Sequence, residues 1–252
     1  MSIRNGDRED IWILDRAAGT FTRLTTEGLN GAPEWTADGR RVLYKTVRTG
    51  GVDDGPTGTI RIMWQRIDGS APAEVLFETE PALNEAVLSA DERWLVVRTA
   101  PGGKTPRDIF AVDLKGDRAL RPLATGPTSE IMPRLSPDGR WLAYQSDQGG
   151  RAEIYVRPFP GDGARVQVSN EGGSEPLWDA SGRTLYYRAP GASRRLHCHP
   201  VLRSAPRSRW ARADSCSPAA RPPIPRIRRT TCRPTANSFS CCAPRAVRPR
   251  PS

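Results

Sequence analysis

The first 190 residues contain no cysteine and no histidine. Their absence excludes a Cys/His metal centre, a disulfide framework and a Ser–His or Cys–His nucleophile pair from that stretch. All five cysteines (Cys198, Cys216, Cys232, Cys241 and Cys242) and both histidines (His197 and His199) come later. An odd cysteine count without a CxxC pair is a poor zinc or disulfide framework. The "HCH" at His197–His199 reads as an incidental cluster because no further ligands are placed. No metal and no cofactor is expected. The chain also lacks an apolar run near the ~18 residues of a membrane span, and no apolar h-region follows Met1. As written it is expected to stay in the cytoplasm. GxSxG, HRD and DFG motifs are absent too. "RTGGVDDGPTG" (Arg48–Gly58) is glycine-rich but lacks the Lys-Ser/Thr ending of a phosphate loop, so it reads as a long inter-strand loop.

Charge is unevenly spread. Residues 191–252 hold 14 arginines, no lysine and one acid, Asp214, whereas the first 190 are slightly acidic. The pI of about 10.0 therefore describes the tail and not the body. Fourteen arginines could contact phosphates, but without lysine, and with only Trp210 and Phe239 as aromatics, they read as codon bias. Nucleic acid is not an expected partner.

What is present is a repeat. Anchored on Asp38, Asp91, Asp138 and Ser181, its spacings are 53, 47 and 43 residues. Three residues before each anchor stand Trp35, Leu88, Leu135 and Trp178; five before stand Pro33, Ala86, Pro133 and Pro176. Six after stand Tyr44, Val97, Tyr144 and Tyr187. A strand ends at the Trp or Leu. A tight turn follows, built on Asp38–Gly39, Asp91, Asp138–Gly139 or Ser181–Gly182, where Asp bonds backbone amides and Gly tolerates positive φ. The next strand ("RVLY", "WLVV", "WLAY", "TLYY") is apolar on both faces. A third ("IRIMWQRI", "DIFAVDL", "EIYVRPF") and a fourth ("AEVLFE", "LRPLAT", "ARVQVS") complete the unit. Four strands per repeat of about 40–50 residues mark propeller blades. "DIWILD" and "TFTRLT" fit the third and fourth strands of an earlier blade. Residues 1–190 are thus expected to form an all-β partial β-propeller of four-stranded antiparallel blades, about three to four in number.

"APEWTADGRRVLY" and "MPRLSPDGRWLAYQSD" resemble TolB-type (WD-like) propeller repeats, over roughly Asp10–Arg188. "GRAEIYVRPFPGDGARVQVSNEGGSEPLWDASGRTLYYR" is similar to the C-terminal propellers of bacterial transmembrane serine/threonine kinases. Related repeats also cap prolyl-oligopeptidase-like peptidases. The resemblance implies a non-catalytic binding or sensor module, a fragment of a larger periplasmic or membrane-attached protein. Its ligand would be a protein, a peptide or a small molecule. The alternative is the substrate-gating fragment of a peptidase. On a propeller the innermost strands line a channel, so Glu34, Glu85, Arg134 and Glu175 are the candidate ligand-binding residues. They form no evident metal-ligand set.

The repeat is lost after Arg188. Residues 191–252 read either as a disordered basic tail or as the product of a shifted frame. Shifting codons by one base lets Thr230–Cys242 read "VSPDGQQFLML", a further copy of the repeat. In the same frame Pro206–Ser217 can read "PFTVGARGLLF". The slip would fall between Ala192 and Pro206, and the tail would then supply no blade strands.

Overall fold

Each anchor builds the same hairpin turn. Two residues before Asp38, Asp91 and Asp138 stands a hydroxyl (Thr36, Ser89, Ser136) that donates to the anchor carboxylate at 2.5, 2.5 and 2.6 Å. The carboxylate accepts the amide two residues on, from Arg40, Arg93 and Arg140. The hydroxyl oxygen accepts a second amide across the turn, from Arg41, Trp94 and Trp141. In the fourth repeat the two groups are exchanged. Ser181 Oγ donates to Asp179 Oδ2 at 2.6 Å, and Asp179 Oδ1 accepts from Thr184 N at 3.0 Å. Ser181 therefore preserves the turn with its partners swapped. Gly39, Gly139 and Gly182 take the left-handed position (φ 68, 66 and 66°), which Glu92 fills in the second repeat (φ 54°). The buried Ser136 hydroxyl satisfies one carboxylate and two amides. Ser136→Ala is expected to cost about 1–2 kcal/mol, chiefly by orphaning the Trp141 amide, read as a fall in the thermal midpoint.

These hairpins assemble a series of sheets. The computed structural model describes residues 1–47, 60–78, 83–100, 107–190, 196–200 and 214–215. Met1–Cys216 form one compact unit; the second, Ser217–Ser252, lies outside the described residues, as do the Arg48–Gly58 loop and most of the expected tail. Among the described residues every regular element is a strand. Strands β1 (Ser2–Asn5), β2 (Arg8–Asp15) and β3 (Thr20–Arg23) form a short antiparallel group. It joins β4 (Leu29–Trp35), β5 (Arg41–Val47), β6 (Ile60–Arg66) and β7 (Glu74–Glu78) through one parallel pairing, Glu9 with Leu29. Two four-stranded antiparallel sheets follow: β8 (Leu83–Leu88), β9 (Trp94–Thr99), β10 (Ile109–Asp113) and β11 (Leu120–Ala124), then β12 (Glu130–Leu135), β13 (Trp141–Ser146), β14 (Glu153–Pro158) and β15 (Val166–Gln167). The last comprises β16 (Ser174–Trp178), β17 (Thr184–Arg188), β18 (Leu196–Pro200) and β19 (Asp214–Ser215).

Two features depart from the sequence expectation. β1 adds a third strand to the first group, turned by Asn5-Gly6 with Gly6 at φ 60°, a sequence pair that favours hairpins. β18 and β19 supply strands where none was expected after Arg188. β18 pairs with β17 along its full length, from Thr184–Pro200 to Arg188–Leu196. Ladder bonds are made by backbone, so an open strand edge accepts a segment that carries none of the repeat's side-chain pattern.

The cores lie between sheets, which explains why the second strands are apolar on both faces. Leu43 of β5 packs with Ile62, Leu83 and Leu95, whereas its neighbours Val42 and Tyr44 pack with Ile11 of β2. Leu95 and Val97 of β9 face back to that core, and Val96 faces forward with Ile109, Leu142 and Tyr144. Ala143 of β13 faces forward with Ile154, Trp178 and Leu185. β5, β9 and β13 are thus each covered by the sheets before and after them, with alternation setting which residue serves which core.

Candidate ligand-binding site at the inner strands

The first strand of each four-stranded unit carries a register shift: Gly31/Glu34, Leu83/Glu85, Ile131/Arg134 and Ser174/Leu177. In three of them a residue directly before proline takes the left-handed conformation: Ala32 (φ 50°), Met132 (φ 55°) and Glu175 (φ 54°). That conformation is unfavourable for side chains with a Cβ and doubly so before proline. A bulge of this kind re-aims the side chains that flank it.

The consequence is a polar cluster drawn from three sheets. Glu34 of β4 forms an ion pair of 2.8 Å with Arg134 of β12. Glu85 of β8 pairs with Arg98 of β9 at 3.0 Å, and its other oxygen accepts the amide of Met132, the left-handed bulge residue, at 3.1 Å. Lys45 of β5 donates to Asn84 and feels the charges of Arg98, Glu9 and Glu85. Loss of water lowers the Lys45 pKa. Burial likewise raises that of Glu34, with Arg134 opposing and Glu85 adding to the rise. The Arg98 side chain is only 6% exposed and its Nε has no partner among the described residues, nor does the buried Oε1 of Gln145.

Three of the four residues expected at the channel therefore come together: Glu34, Glu85 and Arg134. Glu175 does not join them; it pairs with Arg188 at 2.8 Å, both about half exposed. The four are not equivalent positions. Glu34 and Arg134 stand four residues before their anchors, Glu85 and Glu175 six before, on either side of the bulge. The cluster also holds residues the sequence reading missed. Lys45 and Arg98 both stand seven after the anchor, as do Gln145 and Arg188 outside the cluster, one past the Tyr/Val position that marks the second strand. The carboxylates here are held by cations or backbone, an arrangement suited to binding a polar group.

A raised acid pKa makes the Glu34 contribution to stability fullest below its ordinary value of 4.5, to be lost as pH rises through the elevated folded value. Unfolding midpoints measured from pH 4 to 8 are expected to show this decline in the native chain and a shallower one in Glu34→Gln.

Comparison with known proteins bears on this geometry. The TolB protein of Syntrophus aciditrophicus is 30% identical over 131 residues, which is 52% of this chain and 26% of that protein. An uncharacterised protein of Agrobacterium fabrum is 30% identical over 146 residues, 54% of this chain and 46% of the relative. TolB from Acinetobacter baumannii superposes with a TM-score of 0.60 at 20% identity, covering 77% of this chain and 47% of that one. The fold is a partial β-propeller similar to that of TolB. No family model matches the chain. The propeller spans less than half the length of the curated relatives it matches. Its fold is also shared with enzymes. A puromycin-hydrolysing peptidase of Mycobacterium tuberculosis has a TM-score of 0.55 at 16% identity, with 79% of this chain and 36% of that one covered. An oligogalacturonate lyase has a TM-score of 0.56 at 15% identity, with 76% and 56% covered.

Proposed function

We propose that the chain is a non-catalytic binding module, part of the extracytoplasmic, sensing portion of a larger bacterial protein such as a TolB-like protein or a transmembrane serine/threonine kinase. The observation that carries this reading is the convergence of Glu34, Glu85, Arg98 and Arg134 from three sheets. Opposite charges fixed on rigid strands, with a buried Arg98 Nε that has no partner among the described residues, suit the backbone and charged side chains of an extended peptide. Screening a peptide library against the full chain is expected to yield binders that Arg134→Ala weakens at least about tenfold, the loss of one charge-assisted contact. Binders unaffected by both Arg134→Ala and Glu85→Gln would remove this site from consideration. Peptides that are cleaved during the assay would refute the non-catalytic reading.

The likeness to the mycobacterial peptidase supports a second reading, the gating propeller of a serine peptidase. A neighbouring reading frame encoding GxSxG would favour it; an upstream kinase and membrane helix would favour the first. Residues beyond about 191 are read as out of frame with the parent gene. Resequencing the locus tests this: a one-base correction there that restores "SPDG" supports the slip, and an intact frame refutes it.

A further inference from the structure

The two ends of the sheet series carry faces whose counterparts inside it are covered. At the start, Ile11, Ile62, Ile109 and Ile154 occupy one equivalent position, each no more than 1% exposed. The residue after it points to the preceding sheet: Met63, Phe110 and Tyr155 all pack into inter-sheet cores there. Trp12 holds that position on β2, which no other sheet covers there among the described residues. Leu14, two residues on, is 44% exposed, and Phe21, its register partner on β3, is 51% exposed.

At the other end, the position five after the anchor is Leu43, Val96 and Ala143 in the first three repeats, each fully covered by the following sheet. Its fourth copy, Tyr186, is only half-buried. Its register partner Leu177 is 59% exposed, whereas the equivalent Glu34, Val87 and Arg134 are half-buried.

We propose that the β16–β17 face of one copy takes the β2–β3 face of a second copy, head to tail. The occupant follows from continuity with the interfaces already present. Every internal core joins a forward face of this type to a backward face of the other. Among the described residues the free backward face is the chain's own first sheet. Such a contact is heterologous: the two patches differ, so it need not close and grows with concentration.

Sedimentation velocity of the full chain over a wide concentration range tests this. The wild-type protein is expected to gain mass with concentration. Leu14→Lys/Phe21→Lys and Leu177→Lys, all at exposed positions, should each remain monomeric, with unchanged circular dichroism. An equimolar mixture of the two variants should restore a species of twice the monomer mass, because each retains the face the other lacks. A wild-type chain that stays monomeric throughout would overturn the proposal, since the end faces are then covered within one chain. So would association that survives both variants, or that one variant abolishes and the other leaves intact, the mark of a self-paired patch. Arg134→Ala should leave association unchanged, which separates this surface from the central cluster.

Discussion

Leu95→Ala is expected to destabilise the protein by about 3–4 kcal/mol, within the span found for leucine truncation in closely packed cores. Leu95 is 0% exposed and lies between Leu43, Ile62 and Phe77 of the preceding sheet and Val112 of its own. The cavity would open in the interface that couples two sheets, and sheets in such a series are stabilised largely by their neighbours. The loss should therefore reach beyond one repeat. Urea denaturation followed by tryptophan fluorescence would show the midpoint fall. Trp141 and Trp178, one and two sheets further on around a separate core, should report it together with Trp64, which packs directly against the altered one.

The second large effect is expected from Glu153→Ala. Glu153 opens β14 and is 4% exposed. One carboxylate oxygen accepts the hydroxyl of Ser169; the other accepts the amide of Gly172 at 2.8 Å and pairs with Arg151 at 2.9 Å. Ser169 Oγ in turn accepts the amide of Ile154 at 2.8 Å. The carboxylate thus ties β14 to the crossing segment that leads into the next sheet. The same device recurs at β2, where Asp10 binds Thr25 and Arg23, and Thr25 Oγ1 accepts the amide of Ile11. Removing the carboxylate leaves the buried Gly172 amide and the Ser169 hydroxyl short of a partner, at a cost of about 2–3 kcal/mol. Glu153→Gln should recover part of this, and the exposed Glu171→Ala should change stability by less than about 0.5 kcal/mol. Thermal melts of the three variants would rank them.

The blade was legible because its turn is chemical. An acid and a left-handed glycine at fixed offsets can be read directly, and the apolar second strands announce burial on both faces; the hydroxyl two residues before the anchor emerged only from the hydrogen bonds. The fourth repeat was legible as a copy, but the exchange of Asp179 and Ser181 emerged only from the hydrogen bonds. β1 was missed although Asn5-Gly6 signals a hairpin, because "SIRN" is too short and polar to suggest a strand. β18 escaped because edge pairing is made by backbone and leaves no side-chain pattern to find. The central site was half legible. Glu34, Glu85 and Arg134 stood out as polar residues on inner strands, but the bulges change which offsets converge. That change set Glu175 apart from them and concealed Arg98 and Lys45, whose shared offset from the anchor is visible in the sequence once it is sought.

The central claim is a series of sheets whose second strands are clamped between neighbours. Amide hydrogen exchange on the full chain, resolved by peptide, tests it most directly, since protection follows burial and hydrogen bonding of each segment. Peptides spanning β5, β9 and β13 should exchange slowest and at similar rates, with β3 and β16, which carry exposed faces, much faster. Uniformly fast exchange, or protection in only one of the three second strands, would contradict the account.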